Sequence, residues 1–189
     1  LKFKAEITSL LHRLPPTTRG LDVGSGAGFW ADVVGWGRLD ALEVWEPYLT
    51  EFGLRQKYRE VSLGDVRDFD RWDDYDFVIF GDVLEHLTVA DAQGVLRRAS
   101  GNGRLLFVAV PYMSEQGVCL GNPHEVHLQA DLTPERMAER YPDLQLLAGD
   151  DVYGYYSNGG EPVAPFLGDP ILHPARPTPV VWWKRQKGY

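Results

Sequence analysis

The chain has a single cysteine, Cys119, in 189 residues. A lone thiol excludes an internal disulfide and cannot by itself build a thiolate metal cluster. It reads as a small buried hydrophobe rather than a nucleophile. Positive charge is also scarce: 19 Lys and Arg against 27 Asp and Glu leave a formal charge of −8. Proteins that grip a phosphate backbone usually present a basic surface, because counterion release drives that binding. The one locally basic run, Lys184-Arg185-Gln186-Lys187, reads as a solvated tail, so duplex nucleic acid is disfavoured as a partner. No stretch approaches the roughly 18 consecutive apolar residues needed to span a bilayer. The opening segment mixes Lys2, Lys4, Glu6, His12 and Arg13 with apolar residues, unlike a signal peptide. A cytoplasmic protein with no membrane partner is expected.

What is present is a core: 44% of the residues are hydrophobic, enough for one domain. Phe3, Ile7, Leu10, Leu11 and Leu14 recur at helical spacing until Pro15-Pro16 stops the pattern. Short apolar strands are then expected at 20–23, 41–45, 60–63, 75–80 and 103–110. Helices are expected at 29–34, brokenly at 47–58, and at 88–99 with Thr88 and Asp91 as a capping box. Such alternation implies βαβ units and a parallel sheet covered on both faces. Further on, Thr133 caps a helix that opens on Pro134 and runs to about Arg140. Strand-like segments follow at 144–147, 152–156 and 180–184. The loop between 158 and 179, rich in Gly and Pro, is a candidate mobile or site-covering segment. Tyr153, Tyr155, Tyr156, Trp182 and Trp183 read as strand packing.

The chemistry gathers at the ends of these strands. Leu-Asp-Val-Gly-Ser-Gly-Ala-Gly at 21–28 runs from strand through small residues into helix. Glycine there lets the backbone approach a ligand closely, and the helix start offers free amide donors. The second strand ends in acids, Glu43 and Glu46, where a carboxylate could bridge a ribose diol. The third ends in Gly64-Asp65-Val66, where a carboxylate could accept from an exocyclic amine. The fourth ends in Gly81-Asp82-Val83-Leu84-Glu85-His86-Leu87. Open α/β sheets bind their ligands at the carboxyl ends of the strands.

In this order the segments resemble the class I S-adenosylmethionine-dependent methyltransferases. LDVGSGAG is similar to their first motif, the acid after strand two to their ribose contact, GDV to their adenine contact and YDFVIFGDVLEHL to their fourth motif; the likeness covers residues 17–112. It implies a Rossmann-like, doubly wound α/β fold. The sheet would be mostly parallel and seven-stranded, with helices on both faces and the last strand antiparallel after a long loop. It divides a single domain, 1–189, into an N-terminal helix (1–16), a cofactor-binding half (17–112) and an acceptor-side half (113–189). Asp22, Gly24, Gly26 and Gly28 would surround the methionine end and ribose of S-adenosylmethionine. Glu43, ahead of Glu46, would hold the ribose, Asp65 with the Val66 amide would read adenine, and Asp82 would complete the cofactor edge. The implied reaction is methyl transfer to oxygen or nitrogen of a small-molecule acceptor. Three alternatives stay open. Gly26-x-Gly28-x-x-Ala31 also fits a nicotinamide-dependent oxidoreductase; the acceptor could be RNA or protein; or the fold could serve as a non-catalytic binding module.

Asp82, Glu85 and His86 fall on one face if a helix begins at Asp82. They could then supply a general base, His86, or ligate a divalent cation. A capping pair, Asp82 at N-cap and Glu85 at N3, accounts for the two acids without chemistry. Methyltransferases resembling this segment commonly carry D-x-L-E-H without metal. Those of the ubiquinone pathway and those acting on small-RNA termini carry E-x-x-E-H and use one. The expectation is therefore no metal, with His86 as the base. Were a metal bound, Asp82, Glu85 and His86 would hold it, and His124 or His127 would be a further ligand. Those two histidines, in Gly121-Asn122-Pro123-His124-Glu125-Val126-His127, are candidate acceptor contacts; Asn122 with Pro123 reads equally as a helix start.

Overall fold

The computed structural model describes residues 17–159. The expected helix at 1–16, most of the 158–179 loop, the strand at 180–184 and the basic run at 184–187 lie outside the described residues. Seven strands form one sheet: β1 (Gly20–Val23), β2 (Leu39–Glu43), β3 (Val61–Leu63), β4 (Phe77–Gly81), β5 (Leu105–Pro111), β6 (Gln145–Gly149) and β7 (Tyr153–Ser157). Their spatial order is β3-β2-β1-β4-β5-β7-β6. The pairs among β1 to β5 are parallel, whereas β7 runs antiparallel to both β5 and β6. The reversed strand is thus Tyr153–Ser157. It follows β6 by a tight turn in which Asp150 Oδ1 accepts from the Val152 and Tyr153 amides, not by the long loop expected from the sequence.

Helices α1 (Phe29–Val34), α2 (Pro47–Glu51), α3 (Leu54–Lys57), α4 (Val89–Ala99) and α5 (Pro134–Arg140) connect the strands. Because strand side chains alternate between faces, β4 and β5 divide the core in two. Val78, Phe80, Leu106, Val108 and Val110 pack with Ala92, Val95 and Leu96 of α4 and Met137 of α5. Phe77, Ile79, Phe107 and Ala109 pack with Trp30, Ala31 and Val34 of α1 and with Leu49 and Leu54 of α2 and α3. Coverage on both faces explains why these strands lack polar alternation.

Two of the caps read from sequence, at Thr88 and Thr133, are present. Thr88 Oγ1 accepts from the Asp91 amide at 3.1 Å and donates to its carboxylate at 2.8 Å. Thr133 Oγ1 accepts from the Arg136 amide. Cys119 differs from expectation: it is only partly buried, in an isolated bridge with Asn122 on the long connection after β5. No helix among the described residues is long and apolar enough to cross a membrane.

At the amino end of the sheet a buried acid is fully answered. Asp40 of β2 accepts two bonds from Arg59, at 2.8 and 2.7 Å, and one from Arg19 at 3.1 Å. Burial opposes its charge, yet the two guanidiniums outweigh that and hold the carboxyl below its usual range. The core itself should be unforgiving at Phe80, which is fully buried between β1, β5 and Trp72. Phe80→Ala should cost about 3–5 kcal/mol, the usual penalty for emptying a buried aromatic site, read as a lower denaturant midpoint with an unchanged slope.

Candidate active site

The carboxyl ends of β1 to β4 lie side by side, and the crevice outside them is the candidate cleft, where open α/β sheets bind ligands. The loop after β1 is pinned from several sides: the Gly24 amide donates to the Leu42 carbonyl, the Gly28 amide to that of Ser25, and Lys57 reaches the Ala27 carbonyl and Asp32. Gly24, Gly26 and Gly28 all have positive φ, +64°, +50° and +79°, so side chains here would be strained. A Cβ on Gly26 would meet nothing nearer than the Gly24 carbonyl at 3.8 Å; the loop keeps open space on its outer side. Helix α1 has only six residues. Its Trp30 indole packs so tightly on the end of β4 that a Cβ at Gly81 would fall 2.1 Å from Nε1.

Glu43 ends β2 buried against this loop. Its Oε2 accepts from the Gly26 amide at 2.9 Å and from Ser25 Oγ at 3.3 Å, and its Oε1 from the Trp45 amide at 2.9 Å. Glu46, by contrast, is exposed at the start of α2, which favours Glu43 for any ligand held at this strand end. Asp22 is 1% exposed and does not face the cleft freely. One oxygen accepts from the Tyr58 hydroxyl, and the other is buried without a hydrogen-bond partner among the described residues. Burial, with Glu43 nearby, raises its carboxyl to about 7. Asp65 lies at the cleft rim, gripped by the Arg67 guanidinium and amide, and that partner holds it below its usual range. The Val66 side chain is buried in the core.

After β4 the chain departs from the expected helix. Asp82 has φ +58°, Leu84–His86 is one turn of 3₁₀ helix that no side chain caps, and α4 starts only at Val89. The capping pair of Asp82 and Glu85 is therefore not formed. Asp82 keeps a solvent-facing edge, and its Oδ1 accepts from the Tyr153 hydroxyl of β7 at 2.6 Å; the protein crowded around the carboxyl still raises it to about 6. Glu85 is 1% exposed and neither oxygen has a hydrogen-bond partner among the described residues, and burial with Asp82 pushes it well above its usual range. His86 packs edge-on against His127, ring centroids 4.7 Å apart, and burial with that second imidazole lowers it to about 4.

The connection between β5 and α5 folds over the same cleft. Glu125 accepts from the Tyr48 hydroxyl of α2 at 3.0 Å and from Gln116, and the His124 ring lies 6.3 Å from that of Trp45. Asn122 caps a 3₁₀ turn, Pro123–Glu125, through the His124 amide. The structure thus brings His127 to Glu85 and His86 in one group of possible ligands and leaves Asp82 outside it, correcting the metal set expected from helical spacing. Glu125 lies in the polar segment 121–127 read from the sequence, where only the two histidines stand out as candidates. Tyr48, Tyr58 and Tyr153 are marked by no short motif and reach the site across the fold rather than along it.

Asp22, Glu43, Glu125, Asp82 and Glu85 form a chain of acids, each sensing the next. No salt bridge reaches any of the five among the described residues. An edge of this kind either holds protons or holds a cation.

No family model matches the sequence, and no curated protein matches it. Solved structures match in shape. A SAM-dependent methyltransferase from Aquifex aeolicus covers 82% of this chain and 89% of its own, with a TM-score of 0.53 at 17% identity. The N-methyltransferase NodS from Bradyrhizobium japonicum covers 82% and 95%, at 0.53 and 15%. The glycopeptide N-methyltransferase MtfA, solved with S-adenosyl-L-homocysteine, covers 82% and 86%, at 0.56 and 14%. With the strand order and the reversed β7, these place the chain in the class I methyltransferase fold.

Asp22 offers a pH signature. With a folded value of about 7 against 3.8 when free, the native state holds a proton that the unfolded chain has lost. Stability from this group therefore falls as pH rises between about 4 and 7. His86 and His127, both lowered, act in the opposite sense, so the wild-type curve alone mixes the two. Asp22→Asn isolates the effect. Its stability relative to wild type should climb by a few kcal/mol from pH 4 to pH 7, since each tenfold change in proton affinity is worth about 1.4 kcal/mol. Parallel urea curves for the two proteins across that range would refute the assignment.

Proposed function

We propose that the protein is an S-adenosylmethionine-dependent methyltransferase that acts on oxygen or nitrogen of a small-molecule acceptor. The observation that carries this reading is the acid-rich carboxyl edge of the sheet. A cofactor with a sulfonium and an ammonium group complements the exposed Asp82 and the partly buried Glu125, with Asp22 and Glu43 buried behind them. The pyrophosphate of a nicotinamide dinucleotide would meet repulsion there. Strand order argues the same way, since dinucleotide folds run 3-2-1-4-5-6 and this sheet inserts β7 between β5 and β6.

In this reading the Gly24–Gly28 loop and Asp22 take the methionine end, Glu43 the ribose diol, and Asp65 with the Val66 amide the adenine. Glu43 exchanges part of its hold on the loop for the two hydroxyls. The connection bearing His124 covers the bound molecules and supplies acceptor contacts. The methyl group moves by in-line displacement, so positioning supplies most of the rate. Where the acceptor must lose a proton, Asp82 suits the role better than the expected His86. Asp82 is exposed at the strand end with its carboxyl raised by the surrounding protein, whereas burial and the His127 ring lower His86 and leave it a weak proton acceptor.

Calorimetry should show S-adenosylmethionine binding in the micromolar range, about −8 kcal/mol at 1 μM, with no heat from NAD. Glu43→Ala should weaken it by about 1.5–3 kcal/mol, the worth of a charge-assisted hydrogen bond, while Glu46→Ala leaves it near wild type. No thermal shift at millimolar cofactor would sink the proposal.

A further inference from the structure

One cluster beside this cleft is left without a task by methyl transfer. Glu85, His86 and His127 each offer one ligand atom, and these atoms all lie within 4.8 Å of one another. We propose that the three residues form a binding site for a first-row divalent transition ion of the zinc type. The inference does not depend on the methyl-transfer reading, because a protein that moved no methyl group could still bind the ion.

Glu85 is the first reason. A carboxyl 1% exposed whose oxygens both lack a hydrogen-bond partner among the described residues is costly to bury, and there it caps no helix and forms no salt bridge with a described arginine or lysine. Yet its position is fixed: its own carbonyl accepts from the Leu128 and Gln129 amides at 2.7 and 3.0 Å. The same contacts anchor the segment that follows His127 onto the turn that carries Glu85 and His86. Gln129 ties that turn again, donating to the Leu84 and Leu87 carbonyls.

The imidazoles are the second reason. His86 Nδ1 faces the Val126 carbonyl at 3.2 Å, and His127 Nδ1 faces that of Ser114 at 2.7 Å. With Nδ1–H donating to a carbonyl, Nε2 is left as the lone-pair nitrogen, and this is the outer-shell arrangement that orients histidine ligands. Two neutral imidazoles and one carboxylate suit zinc or a similar ion, whereas magnesium and calcium prefer all-oxygen shells. Ligands at about 2.0–2.2 Å from the ion would draw the three side chains slightly closer and leave a coordination position for water or an acceptor oxygen.

The test is a titration of the full chain, stripped with chelator, by zinc chloride, and by cobalt(II) as a spectroscopic probe. One equivalent should bind, with a rise in melting temperature and d–d absorption of the cobalt form. Glu85→Gln, which keeps the shape of the side chain, and His127→Ala should each weaken binding more than ten-fold. If Glu85→Gln does not fold, His127→Ala carries the same readout. Failure to bind zinc at 100 μM, binding undiminished in a folded variant, or magnesium binding as tight as zinc would each overturn the proposal. None of these outcomes bears on cofactor affinity, which is measured separately.

Discussion

Parallel strands deliver their carboxyl ends to one edge, and in this chain that edge is where acids accumulate, all but Asp65 without a salt bridge among the described residues. The contrast with the opposite end is instructive. Asp40 is as buried as Asp22, yet two arginines neutralise it and it is a structural group. At the carboxyl edge the same residue type is left to hold a proton or wait for a cation. Glu43 spends its lone pairs on the Gly26 and Trp45 amides and the Ser25 hydroxyl, Asp82 on a tyrosine, Glu125 on another and on Gln116, and Glu85 on no described residue. The glycine loop, the covering connection and the reversed strand are all positioned by bonds to these acids.

Much of this arrangement is legible from the residues in order. LDVGSGAG, the acid of β2 and the buried run of β4 lie along the chain in the sequence they occupy along the sheet, so local pattern suffices to find them. Spacing also favours Glu43, which closes the strand, over Glu46, which is exposed just before the next helix. Strand bounds differ by one or two residues, as at β2, which begins at Leu39 rather than Ala41.

The segment after β4 is not legible in this way, and the reason is physical. A period of 3.6 presumes that a helix follows the strand directly. Asp82 instead adopts a left-handed backbone conformation, stabilised by a tyrosine hydroxyl 71 residues later, and the turn that follows is 3₁₀. Capping, which would have disposed of both acids, depends on a helix that starts only at Val89. The partnership of His127 with Glu85 and His86 depends likewise on amides of 128 and 129 reaching back to a carbonyl, a contact that no spacing rule contains.

The reversed β7 also sets an order of events during synthesis. Strands β1 to β5 pair with neighbours from the first 111 residues, but the outer edge of β5 is closed only by Tyr153–Ser157. The whole connection through α5 and β6 must emerge before that happens. In the interval β5, a seven-residue apolar strand, presents an open edge of the kind that recruits other chains. The residues that close it include Tyr153, whose hydroxyl also fixes Asp82. Protection from aggregation and completion of the cleft therefore arrive in the same step, with the same strand.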